Sequence, residues 1–187
     1  MKRLFVFLLC VLWISPSRAA QLTPFQKFLA ARSRRVVSAL KQNDTARLAR
    51  FVDAQRGLRI STYSFAQKGD RVFSRAQVKR LKHDKRRIKW GLHPGSGEDI
   101  VSTWRDYRKQ YVYKADFLRA PITFNATRLR ADPRENWSEV FPNAIFVEFF
   151  DAGKPKQDYD FLALWLVWQK RGATWYLSGI ASDYWTP

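Results

Sequence analysis

The sequence predicts an α+β fold in which N-terminal helices pack on a curved antiparallel sheet. Three observations carry this expectation. Thr23-Pro24-Phe25-Gln26 is a strong helix start, opening a run with one apolar face. The C-terminal third holds three apolar segments rich in strand formers. Helices followed by a set of strands, rather than alternating with them, is the α+β order. The composition, 46% apolar and 16% aromatic, supplies a sizeable core and excludes a disordered polycation. At 187 residues, one domain with a short N-terminal extension is expected.

The extension is residues 1–19. Lys2 and Arg3 precede the apolar run Leu4 to Ile14, and Ser15-Pro16-Ser17-Arg18-Ala19-Ala20 follows. A basic start, a short apolar stretch and small residues before a cut describe a signal peptide, cleaved after Ala19. Residues 20–187 then form one domain, exported to the periplasm or secreted. The only cysteine, Cys10, lies inside the apolar run. The mature chain would hold no disulfide and depend on its core for stability.

Each element follows in order. In the first helix Thr23 caps, Pro24 suits the first turn and Gln26 completes a capping box. Phe25, Phe28, Leu29, Val36 and Leu40 share one face, with Lys27, Arg34 and Lys41 largely outside it. A shorter helix follows Asn43-Asp44, placing Leu48, Phe51 and Val52 inward and ending before Gly57. Leu58 to Phe65 alternates as a strand, and Gly69-Asp70 marks a turn. Ser74 caps a short basic helix to about Lys82, and Arg86 to Leu92 reads as another strand. Thr103 opens a helix to about Tyr111. The 113–143 stretch, broken by Pro121, Pro133 and Pro142, reads as irregular. Ile145 to Phe150, Phe161 to Trp168 and Thr174 to Ala181 are the clearest strands, the last two joined by a hairpin at Lys170-Arg171-Gly172-Ala173.

Several stretches together resemble a group of exported bacterial proteins of unknown function. They are Trp90-Gly91 with Gly95-Ser96-Gly97-Glu98, and Val112-Tyr113 with Asp116-Phe117 and Ala120-Pro121. The others are Phe141-Pro142-Asn143-Ala144-Ile145-Phe146-Val147-Glu148-Phe149 and Trp175 through Thr186. The resemblance spans most of residues 24–187. It implies an NTF2-like (cystatin-like) cone, a long helix across a curved sheet enclosing a concave pocket. It brings no activity, because that superfamily hosts enzymes and binding modules alike. Some members carry a His-Asp pair near the C-terminus; this chain has Ser182-Asp183 there.

The formal charge is +18. Residues 20–95 carry 19 basic and 4 acidic side chains, whereas residues 96–187 carry 12 of each. The excess peaks between Arg75 and Lys89, where Arg75, Lys79, Lys82, Lys85, Arg86, Arg87 and Lys89 are candidate anion-binding residues. In an exported protein the available polyanions are lipid head groups, lipopolysaccharide and acidic wall polymers. Aromatic residues are sparse within the run, which argues against sequence-specific nucleic acid binding.

His83 and His93 lack metal-ligand spacing and no cofactor motif is present, so neither a metal nor a cofactor is expected. Gly95-Ser96-Gly97 completes neither a nucleophile elbow nor a phosphate loop and reads as a turn. Glu148 and Asp183 lie within or beside apolar segments and are the candidate acids. On a concave face, burial would raise the Glu148 pKa and suit acid or base work. Tyr63, Trp90, Tyr113 and Trp185 are the candidate pocket lining. The leading expectation is a non-catalytic binding or accessory module with an aromatic pocket for a small ligand and a basic face. The alternative is a hydrolase or isomerase using a pocket carboxylate. A homodimer through the sheet is a further expectation.

Overall fold

The computed structural model describes residues 21–63, 65–67, 69–93, 96–126, 134–153 and 161–185, without the side chains of 134, 135, 184 and 185. The expected signal peptide lies outside the described residues.

Helix α1 spans Pro24–Lys41, and both halves of the Thr23–Gln26 capping box are formed. Its buried face carries Leu29, Ser33, Val36, Val37 and Leu40. Helix α2, Thr45–Ala49, is capped by the Asp44 side chain, which accepts from the Arg47 amide. Strand β1 covers Leu58–Ser61 and β2 Arg71–Phe73. Helix α3, Arg75–Arg80, starts from a second complete capping box, Ser74 with Gln77, and continues as a 3₁₀ turn through His83. Strands β3, Ile88–Leu92, and β4, Asp99–Ser102, form a separate hairpin. Helix α4, Trp104–Tyr107, is capped by Thr103 and widens into a π-helical turn over Arg108–Val112. Then come β5 (Ile122–Phe124), α5 (Arg134–Val140), β6 (Ile145–Asp151), β7 (Phe161–Arg171) and β8 (Thr174–Trp185).

Among the described residues the main sheet has six strands in the order β2-β1-β8-β7-β6-β5. It is curved and mixed rather than purely antiparallel, because β1 runs parallel to β8, with Ile60 opposite Ile180. β1 also stops at Ser61 instead of Phe65. There the Ser61 hydroxyl accepts from the Tyr63 amide, and Thr62 turns toward the Trp90 carbonyl and the Tyr107 hydroxyl. Such local side-chain bonds draw the backbone out of the ladder.

The sheet has two covered faces. On the first, Val147, Phe149, Leu164, Leu166, Trp168 and Ile180 meet α1, α2 and the β3–β4 hairpin in the main core. Ser33 on α1 fixes the approach, accepting from Trp168 Nε1 at 3.0 Å. Arg32 lies 5.3–5.6 Å from the centroids of Phe28, Phe51 and Trp168, so its charge rests on ring faces. On the second face, Phe146, Ala163, Trp165, Val167 and Ala181 pack with Trp137 and Phe141 at α5.

Gly179 makes the α5 contact possible: a Cβ there would lie 2.7 Å from a Trp137 ring carbon and 3.0 Å from Val167. Gly179→Ala is expected to overpack this site and cost about 1–3 kcal/mol. Thermal denaturation should show a midpoint drop of about 2–10 °C, with a shift in tryptophan emission as Trp137 is displaced. An unchanged midpoint and emission would show that α5 is not seated on Gly179.

Candidate functional site

The second sheet face gathers the two candidate acids. Registers across five strands align Thr123, Glu148, Trp165, Ala181 and Ser61 in one row. The adjoining row contains Phe150, Ala163 and Asp183. Glu148 and Asp183 therefore share a face, separated by two strand spacings and one residue pair, about 12 Å between backbones. Glu148 is fully buried and Asp183 half-buried.

Thr123 Oγ1 stands 2.9 Å from Glu148 Oε2 and 2.9 Å from the Ala126 carbonyl. Trp165, directly opposite Glu148, is buried with its indole N–H unpaired among the described residues, and so is that of Trp137. This face thus holds two buried indole donors, one of them on the residue paired with Glu148.

Two of the four expected lining residues, Trp90 and Tyr113, pack with the first-face core rather than around Glu148. Trp90 is fully buried in the first-face core, stacked on Tyr107 at 4.1 Å, with Nε1 donating to the Ser102 carbonyl. Tyr113 donates its hydroxyl to Asp116 Oδ1, and burial together with that bond pushes its pKa above the ordinary tyrosine value. Tyr63 stacks on Phe65 and donates to the Leu92 carbonyl. The Trp185 side chain lies outside the described residues.

The basic run divides into tethered and untethered cations. Arg75 is half-buried and donates to the Val52 carbonyl, tying α3 to the chain before β1. Arg87 donates to the Val101 carbonyl, and Lys89 pairs with Asp99 at 2.6 Å. Arg86 grips Asp84 with two nitrogens, Nε at 3.0 Å and a terminal one at 2.7 Å. These bonds, with the Arg86 amide, hold the Asp84 carboxyl down to about 2. Lys79, Lys82 and Lys85 are exposed and form no ion pair among the described residues.

The run converges in space at two adjoining grooves that share His83 and Asp84. One, of about 380 Å³, takes Arg80 and Arg86. The other, of about 410 Å³, takes Lys82, Lys85 and, from α4, Arg105. Five cations thus face two acids, Asp84 and Asp106. Arg105 was not a candidate in the sequence, since it lies beyond the β3–β4 hairpin and only the fold returns it to Lys82. Asp106 is engaged by the Thr103 hydroxyl at 2.7 Å.

Among the described residues no group of three or more His, Cys, Asp or Glu is placed to hold a metal ion, and no helix is long and apolar enough to cross a membrane.

No family model and no curated protein matches the chain. Among solved structures it is similar to a Xanthomonas campestris protein provisionally described as a calcium/calmodulin dependent protein kinase II association domain. The two are 13% identical with a TM-score of 0.39, over 93% of this chain and 97% of that one.

Proposed function

We propose that this chain is an exported NTF2-like domain, periplasmic or secreted, acting as a non-catalytic binding or accessory module on anionic envelope components. The convergence of Arg80, Lys82, Lys85, Arg86 and Arg105 around two adjoining grooves carries the reading. Phosphate-bearing head groups or wall polymers suit these grooves better than nucleobases. Among the described lining residues the Phe73 ring is buried and offers no stacking platform, which leaves the His83 ring alone at the surface of both grooves. The small-ligand part of the reading moves from the packed aromatics of the first face to the second face.

The test is cosedimentation with vesicles containing phosphatidylglycerol, against phosphatidylcholine vesicles. Binding is expected only to the anionic vesicles, falling at least tenfold between about 50 and 200 mM salt. Replacing Lys82, Lys85, Arg86 and Arg105 by Gln should weaken it at least tenfold, at about 1 kcal/mol per basic residue, with an unchanged circular dichroism spectrum. Equal binding to neutral vesicles, or full binding by the quadruple variant, would overturn the proposal.

The hydrolase or isomerase alternative is favoured by one observation, the placement of Glu148 and Asp183 on the same face.

A further inference from the structure

A cavity of about 390 Å³ opens on the second sheet face, between the β1–β2 hairpin and the C-terminal end of α5. The volume falls within the range of small-molecule sites. Its floor is made by a β-bulge. Val167 pairs with Gly179 and Trp168 with Leu177, which leaves Ser178 as an extra residue without a partner in the ladder. Ser178 is 3% exposed and its hydroxyl has no hydrogen-bond partner among the described residues. A buried hydroxyl left so is costly, and a ligand oxygen would relieve it.

Two guanidinium groups border the same space. Arg56 lies exposed in the turn before β1 and forms no ion pair among the described residues. Arg59 on β1 is three-quarters buried and spends one terminal nitrogen on an ion pair with Asp70 at 3.6 Å and on the Gln67 carbonyl at 3.4 Å, while Nε and the other terminal nitrogen have no partner among the described residues. Gln169 is held in place, donating to the Pro142 carbonyl. The other walls are apolar. Val72 and Val140 are 52% and 38% exposed beside the buried Phe141.

We infer that this cavity binds a small amphipathic carboxylate. The carboxylate takes hydrogen bonds from Ser178 and salt-bridges from Arg56 and Arg59, and an aliphatic body covers Val72, Val140 and Phe141. A carboxylate fits the two guanidinium forks through bidentate geometry. The apolar rim accounts for a body that water would otherwise expel. The site shares no residue with the basic grooves, so it stands or falls apart from the anionic-surface proposal.

The experiment is isothermal titration calorimetry of the full mature chain with octanoate, and with octanol as the uncharged match. Octanoate should bind at least tenfold more tightly than octanol. Arg56→Gln, an exposed turn substitution that leaves the core untouched, should weaken octanoate at least fivefold. Arg59→Gln should do so at least tenfold, and Ser178→Ala several-fold, each with little change for octanol. Absence of octanoate binding up to about 1 mM, equal affinity for octanol, or indifference to Arg56→Gln would overturn the inference.

Discussion

Trp90→Ala is expected to destabilise the protein by about 3–5 kcal/mol, lowering the thermal midpoint by about 10 °C or more. Trp90 is fully buried and joins several elements. Its ring stacks on Tyr107 of α4 and lies 5.8 Å from Trp104 and 5.5 Å from Phe73 of β2. Its Nε1 also closes the β3–β4 hairpin through the Ser102 carbonyl at 3.0 Å. Truncation removes the ring contacts, opens a cavity and orphans that carbonyl. Trp90→Phe keeps one aromatic ring but loses the N–H and part of the indole volume, so a smaller loss than for alanine is expected. Chemical denaturation of both variants measures the difference. If Trp90 lined an open pocket instead, the alanine variant would keep most of its stability and change only ligand affinity.

How far the sequence reaches is visible in that residue. Ile88, Trp90 and Leu92 alternate, which is enough to place a strand. Alternation does not say whether the tryptophan meets a pocket or a core. That depended on α4, whose Tyr107 arrives from a different part of the chain. The start of α1 was legible to the residue, because a capping box is local chemistry. The β7–β8 hairpin was legible in outline, its turn needing Gly172 at φ 58°, but the strands run on past the expected Trp168 and Ala181 to Arg171 and Trp185. Strand β4 and strand β5 were missed because four and three residues give too little periodicity. Helix α5 was hidden among prolines, although Trp137 and Phe141 stand one helical turn apart and stack at 5.2 Å. The parallel pairing of β1 with β8 left no trace at all, since register between distant segments is a tertiary property.

The candidate site was legible in kind and less so in place. Glu148 and Asp183 could be singled out as acids among apolar neighbours, and the register sets them on one face. The basic run could be counted, but only folding separates Arg75, Arg87 and Lys89, which are tethered, from Lys82 and Lys85, which meet Arg105. The Ser178 cavity could not be seen. It needs a bulge, an arginine on a neighbouring strand that is distant in sequence, and the end of an unexpected helix.

Asp53→Ala is expected to cost about 2–4 kcal/mol at neutral pH and progressively less in acid. Asp53 is 1% exposed, in the turn that leads into β1. Its Oδ1 accepts from the Gln55 and Arg56 amides at 2.7 and 3.1 Å, and its Oδ2 lies 2.8 Å from Arg171 Nε on β7. Hydrogen bonds to a charged group contribute about 1.5–3 kcal/mol each, which covers the two amides; the Arg171 contact is an ion pair without a hydrogen bond, discounted further because Arg171 is 37% exposed and screened by water. Burial works to raise the Asp53 carboxyl, but the two amides and Arg171 outweigh it and hold it below the ordinary range. With the folded pKa below the unfolded one, the unfolded chain binds the extra proton as pH falls. The stabilisation is therefore whole above the unfolded value of about 3.9 and is lost as pH drops through the folded value. Denaturation midpoints of wild type and Asp53→Ala should differ by a constant gap from pH 7 to about 5, then converge at lower pH. Asp53→Asn keeps an acceptor for the amides and loses the charge, so an intermediate, less pH-dependent loss is expected. A gap that stays constant to pH 2 would mean that Asp53 acts by shape rather than by charge. Because the same turn carries Arg56, loss of the Asp53 anchor should also weaken octanoate at the cavity, even where the fold survives.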